Sequence, residues 1–288
     1  MTESTAVHGV FAATGRQGSA TATALLDRGV RVRALVRRPE SEQARALAAR
    51  GAYVVLADLD RPDTLAPAME GLDALWFMTT MTVDDDPDSE IAMGRALGDA
   101  AVAAGAGRIV FSSVGGAERG SGVPHFESKF RVEQYLAGLE IPVTVVRPVF
   151  FLENLPYMAG LEGDEVVVRM AIPEDVPLQM IAARDIGRAA ASALVDPSAV
   201  NGEVEIGGVE LTGPQIADAL GSAVGRAGRY VALPIETHAG DHDSTAMFTW
   251  FSHLPAYQAD FEATERLTGG ALDVPGWVAE TGWELEPR

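Results

Sequence analysis

The sequence predicts an α/β fold: a doubly wound parallel sheet with a smaller C-terminal α/β region. Three observations carry this. Short apolar runs alternate with helix-length segments as far as Ser113. Several of those segments close on a glycine. The first apolar run leads through a glycine-containing turn straight into a helix. Strands spaced by helices of this length form βαβ units with a buried parallel sheet.

Taken in order, residues 7–12 read as a strand ending at Thr14-Gly15, and residues 19–28 as a helix closed by Gly29. Residues 30–36 form a strand, and residues 40–50 a helix closed by Gly51. A strand at 53–57, a short helix at 62–70 and an apolar strand at 74–79 follow. Then come a helix at 89–104 and a strand at 108–113. Right-handed crossovers put the carboxyl ends of these strands, and any ligand, on one edge. Gly115, Gly116, Gly120 and Gly122 predict a mobile loop. A helix at about 126–139 and a strand at 143–147 complete this half. Beyond Pro148 strands are expected at 166–170, 204–206 and 230–233, with helices at 184–194 and 214–224, the latter capped by Thr212. Residues 1–155 are expected to form one domain, to which about 180–210 returns. Residues 156–288 form the smaller region that supplies specificity.

Composition narrows the function. Apolar residues at 47% against 22% charged leave ample material for a core. Forty-one acidic against 22 basic residues give a net charge of −19, which repels phosphate backbones and anionic membranes. Neither nucleic acid nor membrane is an expected partner, and an anionic ligand needs a local arginine cluster. The chain has no cysteine, which excludes thiolate chemistry and disulfides. The five histidines contain no HExxH pair; His238 and His242, beside Asp241 and Asp243, read as a solvated polar loop, and no metal is expected. The first six residues lack a basic-then-apolar leader, and no apolar run approaches the roughly 20 residues of a membrane span, so a cytoplasmic protein is expected.

The most informative segment is Val10-Phe11-Ala12-Ala13-Thr14-Gly15-Arg16-Gln17-Gly18. A pyrophosphate needs a tight turn, close backbone approach and a helix N-terminus with free N–H groups. Gly15 and Gly18 supply two of three fingerprint glycines, and Ala12 occupies the first position, which a small residue can fill at negative φ. The loop as a whole, Ala12, Thr14, Gly15, Arg16, Gln17 and Gly18, is the candidate phosphate cradle of a Rossmann domain. The second strand ends in Arg37-Arg38 rather than in an acidic residue. Guanidinium forks suit a 2′-phosphate, so NADP(H) is expected over NAD(H), with a solvated basic turn as the alternative. Asp58 and Leu59 follow the third strand and line the adenine, or else belong to a helix-capping turn. Thr79 and Thr80 follow the fourth strand, where they meet the cofactor backbone.

Several of these stretches resemble the NmrA-like branch of the atypical short-chain dehydrogenase/reductases. They are residues 12–18, Arg33-Ala34-Leu35-Val36-Arg37, Ala57-Asp58-Leu59-Asp60, His125-Phe126-Glu127-Ser128-Lys129 and Arg147-Pro148-Val149-Phe150-Phe151-Leu152-Glu153-Asn154. Ala183-Arg184-Asp185-Ile186-Gly187 and Glu210-Leu211-Thr212-Gly213 extend the likeness over most of the chain. The resemblance implies a Rossmann domain with a small C-terminal domain and a preference for NADP(H). It places Lys129 at the cofactor ribose, and Pro148 and Val149 beside the nicotinamide.

Ordinary short-chain reductases use Tyr-x-x-x-Lys with a serine. Here Lys129 is preceded four positions earlier by His125, and Val114 stands at the expected serine position after Ser112-Ser113. His125 is either a proton donor, since imidazole titrates near neutrality, or a residue that starts the helix after Pro124. Asn154, Met158, Trp250 and Phe251 are candidates for the substrate cavity, with plain core packing as the alternative. Two functions follow. One is an oxidoreductase passing hydride from NADPH to a small quinone-like or conjugated carbonyl acceptor. The other is a non-catalytic NADP(H) sensor acting through a protein partner. A homodimer is compatible with either.

Overall fold

A computed structural model describes residues 6–81 and 86–285. Seven parallel strands build the main sheet: β1 (Val7–Phe11), β2 (Arg31–Val36), β3 (Tyr53–Leu56), β4 (Ala74–Met78), β5 (Ile109–Ser112), β6 (Val143–Pro148) and β11 (Glu203–Ile206). Their order is β11-β6-β5-β4-β1-β2-β3. The chain moves outward from β1 to β2 and β3, then returns to pair β4 with β1's other side, in the register His8–Ala74 to Val10–Trp76. That reversal opens a crevice at the carboxyl ends of β1 and β4.

The central strand β4 reads as an unbroken apolar run because both faces of the sheet are covered there, whereas β2 and β11, nearer the edges, keep charged residues among their apolar ones. Alternate residues feed two separate cores. Val10, Ala34, Trp76, Val110 and Val146 point into one, and Phe11, Leu35, Leu75, Phe77 and Phe111 into the other. The helices α1 (Arg16–Asp27), α2 (Glu42–Ala49) and α7 (Ala183–Val195) carry apolar residues of the first core. On the opposite side, α3 (Leu65–Met69), α4 (Pro87–Ala103) and α5 (Pro124–Ala137) close over the second. Small residues let these helices approach closely: a Cβ on Gly94 would meet Val132 at 2.5 Å.

Beyond β6 the short strand β7 (Phe150–Phe151) leads to α6 (Leu155–Met158) and the hairpin of β8 (Ala159–Glu162) and β9 (Glu165–Met170). The strand β10 (Pro177–Ile181) pairs parallel with β7 and antiparallel with β12 (Val209–Thr212). A third sheet joins β9 to β13 (Ala227–Ala232) in parallel. Between these strands α8 (Gly213–Ala223) starts in a capping box, Thr212 with Gln215, as the Thr212 cap led us to expect. The last helices are α9 (His242–Phe251), α10 (Phe261–Thr268) and α11 (Val274–Thr281), each opened by an aspartate that accepts a backbone N–H.

Two expectations need correction. Residues 239–242 are exposed as a solvated polar stretch should be, but they lead directly into α9, which Asp241 caps and whose first turn holds Asp243. The first part of the glycine-rich stretch after β5 is not without contacts, although Gly120 and Gly122 are exposed. Gly115 donates to the Pro148 carbonyl at 2.9 Å, and Gly116 donates to the Glu205 carboxylate at 3.3 Å. Arg119 pairs with Glu205 at 2.8 Å. A buried carboxylate that engages two donors from one loop holds that loop in place.

Candidate functional site

The loop that joins β1 to α1 sits at the crevice. The helix begins at Arg16, three residues earlier than the periodicity suggests, so the turn at Gly15 and the free N–H groups of the first helical turn coincide. The Gly15 N–H donates to the Ala12 carbonyl at 2.8 Å and tightens this turn. Ala12 has φ +50°, not the negative φ expected of a small residue in the first fingerprint position. It adopts the left-handed conformation that glycine takes without cost.

A cleft of about 810 Å³ opens over this loop. Ala12, Thr14, Gly15, Arg37, Arg38, Asp58, Leu59 and Thr80 line it together. Ser41, Gln43, Met93 and Ala96 also line it and were not singled out from the sequence. Ser41 could have been found, because it is the N-cap of α2, its hydroxyl accepting from the Ala44 N–H at 3.2 Å. Among the described residues no ion pair engages Arg37 or Arg38, and both are exposed at the cleft's rim. Asp58 is partly committed: its carboxylate accepts from the Asp60 N–H at 3.1 Å and from Arg61 at 3.3 Å, stabilising the turn after β3.

The remaining cofactor candidates do not line this cleft. Arg16 is exposed on the first turn of α1. Gln17 is buried and accepts a 2.7 Å bond from the Ser112 hydroxyl, tying α1 to β5. Gly18 is buried against the backbone of Ala12. Pro148 and Val149 are buried where β6 ends, and the Val149 N–H donates to Ile206 on β11.

At the carboxyl ends of β4 and β5 two buried hydroxyls, Thr79 Oγ1 and Ser113 Oγ, have no hydrogen-bond partner. Buried polar atoms of this kind cost about 1–3 kcal/mol each when left unpaired. Next to them lies Lys129, whose ammonium donates to the Thr79 carbonyl at 2.5 Å and to the Glu90 carboxylate at 2.5 Å. Glu90 is fully buried on α4 and also accepts from the Ser128 hydroxyl. An ammonium has three donors, so one N–H of Lys129 is left for a ligand. With the orphaned hydroxyls and the free N–H groups at the turn of Gly15, these groups fit a nicotinamide dinucleotide. Sequence reasoning missed Glu90, because nothing local links it to a lysine 39 positions away.

His125 is neither loose nor a side-chain cap. Val123 is the N-cap of α5 and makes no side-chain bond. Instead Asp243 on α9 accepts from the His125 backbone N–H at 3.0 Å and holds its Nδ1 at 2.6 Å. Burial pushes the Asp243 carboxyl up, but the bond and charge of His125 outweigh it and hold the group below the ordinary carboxylate value. Farther along α5, Glu133 clamps Arg147 of β6 with bonds of 3.0 and 2.7 Å, which fixes the helix over the sheet. Burial alone would lower the Arg147 guanidinium; its bonds to Glu133 and Glu203 and the charge of Glu118 raise it instead.

The four substrate candidates separate into two groups. Trp250 and Phe251 on α9 meet around Tyr257, at centroid distances of 5.2 Å each. Phe251 is buried edge-on against Phe150, while Trp250 packs on Phe126 and Gly116. Asn154 and Met158, both half-buried, lie on the turn and short helix after β7. Burial raises the Tyr257 hydroxyl well above the ordinary value, with the charge of Glu205 adding to it.

Among the described residues no helix is long and apolar enough to cross a membrane. Comparison with known proteins agrees with the fold. The chain is 32% identical to an NAD(P)H azoreductase of Xenophilus azovorans over 228 residues, 79% of this chain and 77% of that protein. An NADPH-dependent quinone oxidoreductase of Escherichia coli, solved with NADPH, superimposes with a TM-score of 0.80 at 23% identity, covering 96% of this chain and 100% of that one. NmrA, a negative transcriptional regulator solved with NADP, does so with a TM-score of 0.79 at 24% identity, over 96% and 94%. The family pattern described as NmrA-like matches residues 5–266. The chain therefore belongs to the NmrA-like family and has its Rossmann-type NAD(P)-binding fold.

Proposed function

We propose that this protein is an NADP(H)-dependent oxidoreductase that reduces a small conjugated acceptor, a quinone or a conjugated carbonyl. The observation that supports it most is the placement of Lys129 on the Thr79 carbonyl, beside two hydroxyls without partners. When bound, the cofactor supplies the hydride. The chain's own residues do the rest. The turn at Gly15 and the start of α1 hold the pyrophosphate. Arg37 and Arg38 hold the 2′-phosphate and select NADP(H). Lys129, bonded to Glu90, offers its third N–H to the ribose. Thr79 and Ser113 orient the nicotinamide end. The same reading assigns residues 1–155, with α7 and β11, to the cofactor and most of residues 156–288 to acceptor or partner, in a cytoplasmic setting. The similarity to an azoreductase favours acceptors with an extended π system.

A sensor that binds NADP(H) without turnover is the second reading. It is favoured by the histidine where a reductase tyrosine is expected, and by the commitment of Lys129 to a carboxylate. The test is NADPH consumption across quinones, conjugated carbonyls and azo dyes. Turnover with at least one class is expected. No turnover above background, together with an NADPH-dependent change in protease sensitivity, would establish the sensor instead.

A further inference from the structure

We propose that His125 and Asp243 form a proton-delivering dyad, with His125 as the donor to the acceptor and Asp243 as its positioning residue. The inference rests on the oxidoreductase reading and deepens it.

The geometry begins with the two helices. His125 lies in the first turn of α5, four residues before Lys129, so the two side chains share a face one turn apart. Asp243 comes from α9, 118 residues later, and its carboxylate meets the imidazole with both oxygens, 2.8 and 2.6 Å from Nδ1. One of those oxygens also accepts the His125 backbone N–H, so the carboxylate is fixed to the helix as well as to the ring. The Phe126 ring stands edge-on to the imidazole, at 4.6 Å between centroids, and limits its rotation.

A carboxylate at Nδ1 settles the tautomer. Nδ1 carries the hydrogen that Asp243 accepts, and Nε2 is the atom that gains and loses a proton. Asp243 stays ionised because His125 holds its carboxyl below the ordinary value. Among the described residues, Asp243 on α9 pairs with the ring, the charge of Asp241 acts on Asp243, and the Lys129–Glu90 pair lies one turn along α5. The bond to Nδ1 leaves Nε2 as the nitrogen able to pass a proton to a bound acceptor.

The reaction balances as follows. A conjugated carbonyl gains a hydride at its β-carbon from the reduced nicotinamide, which is oxidised by two electrons. The π electrons shift to the carbonyl oxygen. The Nε2–H bond of the imidazolium breaks, and an O–H bond forms on that oxygen. Neutral imidazole then regains its proton from water.

The test uses the full chain and three variants. In the ligand-free protein, nitrogen-resolved NMR of the side chain is expected to show the Nδ1–H tautomer for His125, and Asp243→Asn is expected to lose it. An asparagine oxygen still accepts the His125 backbone N–H, so α9 should stay docked and the melting temperature close to wild type. With NADPH and a conjugated acceptor, Asp243→Asn and His125→Gln should lower kcat at least tenfold at nearly constant KM, and the solvent deuterium isotope effect of the wild type should disappear in His125→Gln. His125→Asn serves as a second removal of the donor if His125→Gln fails to fold. A wild type that turns over while its folded His125 variants keep full kcat overturns the dyad alone. An Nε2–H tautomer in the ligand-free protein overturns it too. A wild type that oxidises no NADPH overturns the oxidoreductase reading and the dyad with it.

Discussion

A Cβ on Gly18 would lie 2.3 Å from the carbonyl oxygen of Ala12 and 2.8 Å from its carbonyl carbon. The first turn of α1 is thus in backbone contact with the end of β1. Gly18→Ala should force helix and loop apart. Overpacking of this kind costs about 1–3 kcal/mol, and the displaced loop should bind NADPH at least tenfold more weakly. Thermal melts and calorimetric titration would show both losses; an unchanged affinity in the folded variant would mean the loop does not carry the pyrophosphate.

Ala12→Gly should act in the opposite sense. The left-handed φ of +50° costs an alanine about 1–2 kcal/mol. Glycine relieves it but adds about 0.4–1 kcal/mol of unfolded-state freedom. The net expectation is a gain of roughly 0.5 kcal/mol. Denaturant unfolding that shows a clear loss of stability would contradict the conformational argument.

Arg37→Ala should erase most of the preference for NADPH over NADH. Charged hydrogen bonds to a phosphate contribute on the order of 1.5–3 kcal/mol, so the ratio of the two dissociation constants should fall at least tenfold. Equal constants already in the wild type would refute the assignment of Arg37 and Arg38.

Lys129→Met removes a partner of a fully buried carboxylate. Breaking such a pair costs about 3–5 kcal/mol because the remaining charge stays uncompensated. Combining it with Glu90→Gln should return a large part of that stability, while leaving NADPH turnover depressed. If the double variant is no more stable than Lys129→Met in chemical denaturation, the ion pair is not what holds α4 and α5 together here.

His8 makes stability depend on pH. Burial, then the charge of Arg108, holds it below the ordinary histidine value of 6.5, with Asp73 acting weakly against them. The unfolded chain therefore takes up this proton first as pH falls. Stability contributed by His8 is complete above 6.5 and is lost as pH drops below it. His8→Gln should flatten the decline in melting temperature between pH 7 and roughly 5. A decline of the same slope in both proteins would assign the effect to other groups.

The strand at the centre of the parallel sheet was legible because burial on both faces makes Ala74–Met78 a continuous apolar run, and β2 because its apolar residues alternate with Arg31 and Arg33. The C-terminal region was harder. The helix α9 is rich in polar, β-branched and aromatic residues, and β10 begins with a proline. Their stability comes from packing that no local pattern records. Some signals were nonetheless present: Asp241, Asp260 and Asp273 each stand as an N-cap three residues before the amide they bind. In the candidate site, the place of Gly15 and Arg37 at one cleft could be read from spacing. Glu90 and Asp243 could not, since each meets its partner across the tertiary fold.

The seventh strand of the main sheet arrives late. Glu203–Ile206 pairs with Val145–Pro148 only after more than fifty intervening residues, and α7 must pack on α1 so tightly that a Cβ on Gly187 would meet the Ala20 backbone at 2.4 Å. During synthesis, at about 5–20 residues per second, the β6 edge waits several seconds on the ribosome with its N–H and C=O groups unmatched. A nascent chain arrested before β11 emerges would expose that edge, together with the apolar face of α1, to chaperones and to other nascent copies. The hazard in making this protein lies in that interval, on the side of the sheet away from β3.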